Sequence, residues 1–299
     1  MAPSVPVEAG PARPMNIPFF FLHIPRTAGT TINSVLKNTF QPKEILSVYR
    51  DSDYKAFHEL DPAFLDHIKL IQGHLLLHSY DPPQIYSREV RPFTFLRNPV
   101  DRLVSEYLFL KSWPDNHLYR YLNEGDVSFR EYIQSDAKEL RFRGKNFMTR
   151  AVSGMDFDVF RFPRQALETA KHHIEHVFGF VGIQERFDES LLLLREFLGL
   201  RSIFYEAMNS IRKDLKQSIG KADMELALEC NAADMELHAF AVSVFEAKIA
   251  ERGRDFARKL KAFQKINAKF GHVCALISKR TGLKTDIPIE MPKNLLFRS

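Results

Sequence analysis

The chain is poor in cysteine: Cys230 and Cys274 are the only two among 299 residues. Two cysteines build neither a disulfide framework nor a zinc ligand set, and such scarcity fits a reducing compartment. There is no apolar run of the roughly 20 residues that a membrane helix needs. The stretch Phe19–Ile24 is far shorter. Met1–Asn16, rich in proline and alanine, lacks the charged start and long apolar centre of a signal peptide and reads as a disordered tail. Dense basic runs are missing too. Lys and Arg number 42 against 37 Asp and Glu, a net charge of +5. That mild excess suits a small anionic ligand and argues against nucleic acid. No internal repeat and no clear linker divides the chain. Together these absences lead to the expectation of a soluble cytoplasmic protein with no stable membrane insertion. What the chain does have is apolar mass, 45% of its residues, and length enough for one large α/β domain or two small ones.

The chemistry concentrates in residues 19–40. The apolar run Phe19–Ile24 has the length of a buried strand. A short loop follows, Pro25-Arg26-Thr27-Ala28-Gly29-Thr30-Thr31, and then a helix-period stripe of Ile32, Val35, Leu36 and Phe40. Strand, small-residue loop and helix make an anion cradle. Ala28 and Gly29 let the backbone approach a ligand, and free amides at the positive end of the helix face it. Arg26 adds fixed charge, while Thr27, Thr30 and Thr31 add hydroxyls. This is no Walker A loop, because no Gly-Lys precedes Thr30.

A second motif lies in residues 91–111. Phe93–Leu96 reads as a strand, Asn98 as a helix cap, Pro99 as the first helical residue and Asp101 as a complement to the dipole. Val100, Leu103, Val104, Tyr107 and Leu108 form the buried stripe. Ser105 lies off that stripe, two turns in from Arg97, so both can face one ligand. Between the two motifs, His67–Gln72 reads as a short strand ended by Gly73-His74. Asp61-Pro62 and Asp81-Pro82-Pro83 read as turns. A zinc site at His74 and His78 fails for want of the glutamate of H-E-x-x-H and a third ligand. His172, His173 and His176 read as the polar face of a helix over 163–176. Val177–Ile183 reads as a further core strand, and 223–270 as helical.

The loop His23–Thr31 resembles the phosphosulfate-binding loop of sulfotransferases that use 3′-phosphoadenosine 5′-phosphosulfate (PAPS). Within them it is similar to the carbohydrate family 2, uronosyl 2-O-sulfotransferase type, whose loop reads close to HIPKTGGTT. Arg26 stands at the usual lysine and Ala28 at the first glycine. Leu96–Tyr107, LRNPVDRLVSEY, resembles the family's 3′-phosphate motif LRDPVERLVSxY. Asn146–Arg150 with Gly154 resembles an N-x-x-T-R…G segment, and Val181–Leu200 the signature GxxERFxESLxLL.

The resemblance implies a P-loop-like, three-layer α/β fold with a mostly parallel sheet, occupying residues 17–270, with an irregular tail over 271–299. It implies PAPS as sulfuryl donor and a hydroxylated acceptor, in all expectation a saccharide or glycolipid. Arg26, Thr27, Ala28, Gly29, Thr30 and Thr31 then bind the 5′-phosphosulfate. Arg97 and Ser105 bind the 3′-phosphate, and His74 takes the acceptor's proton. The paired histidine of some uronosyl relatives is Gln72 here. Arg26 acts electrostatically, since arginine keeps its proton. Metal is not required, because a sulfuryl group carries less charge than a phosphoryl group. Arg212, Lys213 and Lys216 fall where relatives close over the nucleotide, and Arg150 faces either cofactor or acceptor. Relatives from eukaryotes usually carry a membrane anchor, so its absence points to a soluble, bacterial-type member. Two alternatives remain open at this point: a P-loop nucleotide kinase-like enzyme, and a non-catalytic nucleotide-binding module.

Overall fold

In the computed structural model the described residues are 17–49, 52–53, 66–77, 90–140, 143–155, 161–206 and 219–281. Five strands form one sheet: β1 (Phe19–Leu22), β2 (Ile45–Val48), β3 (Leu70–Gly73), β4 (Arg91–Leu96) and β5 (Phe180–Ile183). Their order is β2-β3-β1-β4-β5, and every neighbouring pair is parallel. Phe21, Leu22, Phe93 and Phe95 are fully buried at its centre, and each such side chain contributes roughly 1.5–3 kcal/mol on leaving water. Parallel strands buried on both faces need no polar alternation, which is why Phe19–Leu22 reads as one apolar run.

The order explains where a site can form. The chain leaves β1 toward β2 on one side of the sheet and later enters β4 on the other. Right-handed crossovers in opposite directions place their helices on opposite faces. The crevice opens where the direction reverses, at the carboxyl ends of β1, β3 and β4.

Helix α1 (Gly29–Lys37) buries Ile32, Val35 and Leu36, the stripe expected of it. Helix α2 (Pro99–Ser112) starts as its sequence dictates. The Asn98 side-chain oxygen accepts from the amides of Val100 and Asp101, both at 3.1 Å, and Pro99 opens the helix. Such a cap is worth about 1 kcal/mol. Beyond α2 lie α3 (Tyr119–Glu124), α4 (Phe129–Gln134), α5 (Phe147–Ser153) and α6 (Pro163–His176), which return the chain to β5. Then come α7 (Phe187–Leu198), α8 (Lys221–Cys230), α9 (Ala232–Ala250) and α10 (Gly253–Thr281). One buried cluster surrounds the sheet. A smaller one joins α2, α3, α4 and α8 through Leu103, Tyr107, Leu122, Tyr132 and Ala227.

Three elements differ from the sequence reading. Strand β2 is unexpected, because a four-residue, half-exposed edge strand carries too little periodicity to stand out. Strand β3 takes in Gly73, where an added Cβ would lie 2.1 Å from the Val48 carbonyl oxygen. Helix α10 runs on past Phe270 to Thr281, where an irregular tail was expected. Cys274, one helical turn beyond Phe270, is buried and holds that last stretch to the protein. His78, Asp61-Pro62, Asp81–Pro83, Arg212, Lys213, Lys216 and both expected tails, save 271–281, lie outside the described residues. Among the described residues, no helix is long and apolar enough to cross a membrane.

Candidate functional site

The loop after β1 turns sharply. Arg26 and Ala28 both adopt left-handed backbone, φ 69° and 67°. Alternation of this kind turns successive amides toward one point and makes an anion nest. The Thr27 hydroxyl donates to the Ile24 carbonyl at 2.8 Å and is buried. It therefore tightens the turn, whereas the sequence reading counts it among the ligand donors. Ala28 caps α1 with no side-chain hydrogen bond, and no acidic residue occupies the first turn. The amides at Gly29, Thr30 and Thr31 thus have no partner within the helix. Thr30 is exposed and Thr31 is buried.

The second motif closes on this loop from β4 and α2. Arg97 donates from Nη1 to the Arg26 carbonyl at 3.0 Å. Arg26 in turn donates from Nε to the Ser105 hydroxyl at 3.0 Å, and its guanidinium lies 4.3 Å from the centre of the Phe109 ring. Ser105, which lies off the apolar stripe of α2, is 1% exposed because Arg26 covers it. Arg26, Arg97 and Ser105 therefore form one cluster, in which the Arg26 side chain reaches α2. Burial and the neighbouring Arg97 charge lower the Arg26 pKa, and Glu106 opposes them. Burial also lowers that of Arg97, against Asp101 and Glu185. Neither guanidinium makes an ion pair with a described residue, and the buried Arg97 Nε has no hydrogen-bond partner. Two adjacent cations, a hydroxyl and an uncapped helix start fit a ligand carrying two separate anionic groups.

His74 follows β3 at the same end of the sheet. Its ring centre is 4.8 Å from that of His23 and 4.9 Å from that of Tyr49. Burial lowers its pKa to about 4, with Glu106 raising it and Arg143 lowering it. His74 as a residue is exposed to solvent, which moderates the drop but not its direction. His74 is therefore neutral near pH 7 and able to accept a proton. Gln72 is buried in the sheet and donates to the Ser47 hydroxyl at 3.0 Å, on the β2 side.

The remaining motifs act as supports. Glu106, next to Ser105, accepts from Arg102 Nη1 at 2.7 Å and Arg143 Nη1 at 2.9 Å. Asp234 of α9 accepts from the amides of Met148 and Thr149 at 3.0 and 2.7 Å, capping α5. Asn231 accepts from the Asn146 amide at 2.9 Å. The Asn146–Arg150 segment thus anchors α5 to α9, with the Arg150 guanidinium 5.7 Å from the centre of the Phe147 ring. Glu185 accepts from the Asn98 amide at 2.6 Å and ties the end of β5 to the start of α2. The sequence reading passes over His23, Tyr49 and Phe109. Phe109 sits one turn past Ser105 and was findable by that spacing, whereas Tyr49 carries no local signal. Among the described residues no group of three His, Cys, Asp or Glu could hold a metal ion.

Residues 1–290 match the model of the family described as galactose-3-O-sulfotransferase. Galactose-3-O-sulfotransferase 3 of Bos taurus is 26% identical over 272 residues, covering 83% of this chain and 61% of that protein. Galactosylceramide sulfotransferase of Bos taurus is 23% identical over 272 residues, covering 85% and 63%. The chain thus spans about three-fifths of the length of the curated relatives it matches. A crystal structure of a sulfotransferase from Alicyclobacillus acidocaldarius aligns with TM-score 0.39 at 17% identity, over 77% of this chain and 98% of that one. The finer likeness to uronosyl enzymes finds no support in these matches. The chain belongs to the galactose-3-O-sulfotransferase family.

Proposed function

We propose that the chain transfers a sulfuryl group from PAPS to a hydroxyl of a galactose-bearing glycan or glycolipid. The observation that carries this reading is the meeting of Arg26, Arg97 and Ser105 beside the uncapped start of α1. PAPS supplies the activated sulfuryl group, joined to its 5′-phosphate. Arg97 and Ser105 hold its 3′-phosphate, and the amides of Gly29, Thr30 and Thr31 hold the 5′ end. Arg26 lies between the two ends. By exchanging its bond to Ser105 for one to the ligand, it would offer permanent charge to oxygen that gains charge as the S–O bond breaks. Preorganised donors of this type act mainly on the transition state. A ring nitrogen of His74 takes the proton as the acceptor oxygen bonds to sulfur. The family match to galactose-3-O-sulfotransferases motivates galactose as the acceptor sugar.

The test is a thermal shift with PAP, the product nucleotide, in the absence of metal. A ligand at 100 times its Kd stabilises by about 2.7 kcal/mol, so the melting temperature should rise by several degrees. An unchanged melting temperature with PAP, alongside a rise with ATP and magnesium, overturns the reading in favour of a kinase-like enzyme. Transfer of labelled sulfate from PAPS to galactosides, but not to uronic acid polymers, is the expected acceptor profile.

A further inference from the structure

His23 begins the loop but belongs to none of the roles above. Its ring stacks on Phe21, with centres 5.2 Å apart and planes 12° apart, and Phe21 stacks in turn on Phe93. Stacking on this column holds the imidazole in one plane. Its Nδ1 is 3.1 Å from the Tyr49 hydroxyl, and Asn33 Nδ2 lies 3.2 Å from the same oxygen. Asn33 donates to that oxygen, which leaves the single Tyr49 hydrogen available to Nδ1 in the tautomer that carries its proton on Nε2. Burial pushes the Tyr49 phenol up to about 12, so it stays protonated. Burial, with help from neighbouring His74 and Arg26, keeps the His23 pKa well below 6.5. A neutral imidazole that accepts at Nδ1 carries its proton on Nε2.

The position of Nε2 is specific. A Cβ built on Gly29 would lie 1.6 Å from it and 2.2 Å from Cε1. The tip of the ring therefore stands where the first residue of α1 would carry a side chain. Only glycine at 29 leaves that space. Another part of the ring faces His74, at 4.8 Å between centres. His23 thus sits between the start of α1 and the base.

We propose that the His23 Nε2–H donates a hydrogen bond to an oxygen of the sulfuryl group, both in bound PAPS and during transfer. The inference rests on reading the site as a PAPS site. The geometry follows from the order of the reacting atoms. The 5′-phosphate lies on the α1 amides and the acceptor hydroxyl lies at His74, so the sulfuryl group lies between them, beside His23. Asn33 and Tyr49 act as positioning residues, since they set the tautomer through which His23 donates.

The experiment compares Kd values for PAPS and PAP by calorimetry, without acceptor, in the parent, His23→Asn, His23→Gln and Tyr49→Phe. PAP lacks the sulfuryl group. One neutral hydrogen bond is worth roughly threefold to tenfold in affinity. His23→Asn should weaken PAPS by that factor and leave PAP unchanged. His23→Gln, whose amide reaches the Nε2 position, should recover most of the loss. Tyr49→Phe keeps the ring but frees its tautomer, and should weaken PAPS alone by a smaller factor. That variant keeps the test decisive should His23→Asn fail to fold. A parent that binds both nucleotides while the His23 or Tyr49 variants lose both equally, or neither, overturns this inference alone. A parent that binds neither nucleotide overturns the site reading and this inference with it.

Discussion

Glu106→Gln tests whether the buried ion cluster holds the site together. Glu106 is 2% exposed and lies between Arg102, which is fully buried, and Arg143, which is 26% exposed. Glutamine keeps the size of the side chain but removes the charge, and its amide nitrogen turns a donor toward one guanidinium. Arg102 is then left as a buried cation without a counter-ion. Removing one partner of a buried pair costs about 3–5 kcal/mol. Arg143 can turn to water, which places the loss near the lower end, at about 3 kcal/mol. For a domain of this size each kcal/mol moves the Tm by about 2–4 °C. The expected drop is therefore about 6–12 °C in thermal unfolding followed by circular dichroism at pH 7.

The pH dependence carries a sign. Burial alone would raise the Glu106 pKa, but Arg102 and Arg143 together outweigh it and hold the carboxyl below its usual range. The folded chain thus binds fewer protons here than the unfolded chain. The stabilisation is complete above the unfolded value, about 4.3, and drains as pH falls through the lower folded value. The gap between parent and variant should persist from pH 7 to about pH 5 and narrow only below about pH 4. A Tm within about 2 °C of the parent at pH 7, or a gap already gone at pH 6, refutes the reasoning.

His74→Ala should lower turnover by about 10²–10⁴-fold and leave the Kd for PAP unchanged. Because the base must be deprotonated and burial lowers its pKa to about 4, kcat/KM should hold level down to about pH 5.5. An acid limb centred at the ordinary histidine value would show that the fold does not depress it. Arg97→Ala should weaken PAP by roughly tenfold to a hundredfold, and adenosine 5′-phosphosulfate, which lacks the 3′-phosphate, far less. Equal losses in calorimetry would remove Arg97 from the 3′-phosphate.

Local chemistry was enough for the elements that bracket the site. Phe19–Leu22 is apolar throughout because it is buried on both faces. Asn98-Pro99 starts α2 because cap and first-turn rules act over three residues. The loop between β1 and α1 needs small residues wherever the turn is made, and those lie within one short stretch. Both motifs sit at the carboxyl ends of strands that pair directly, β1 and β4.

Tertiary structure decided what depends on contacts distant in sequence. Ser105 is buried because an arginine 79 residues away lies over it. Asn146–Arg150 shows no partner in its own sequence, yet Asn231, just before α9, and Asp234 within it accept from its amides. Tyr49 sits in an unremarkable segment, yet parallel pairing of β2 with β3 carries the end of β2 to the carboxyl end of the sheet, where its hydroxyl meets His23 and Asn33. No periodicity or spacing encodes such a meeting. It follows from sheet order, and sheet order is set by which apolar faces bury one another best in the whole chain.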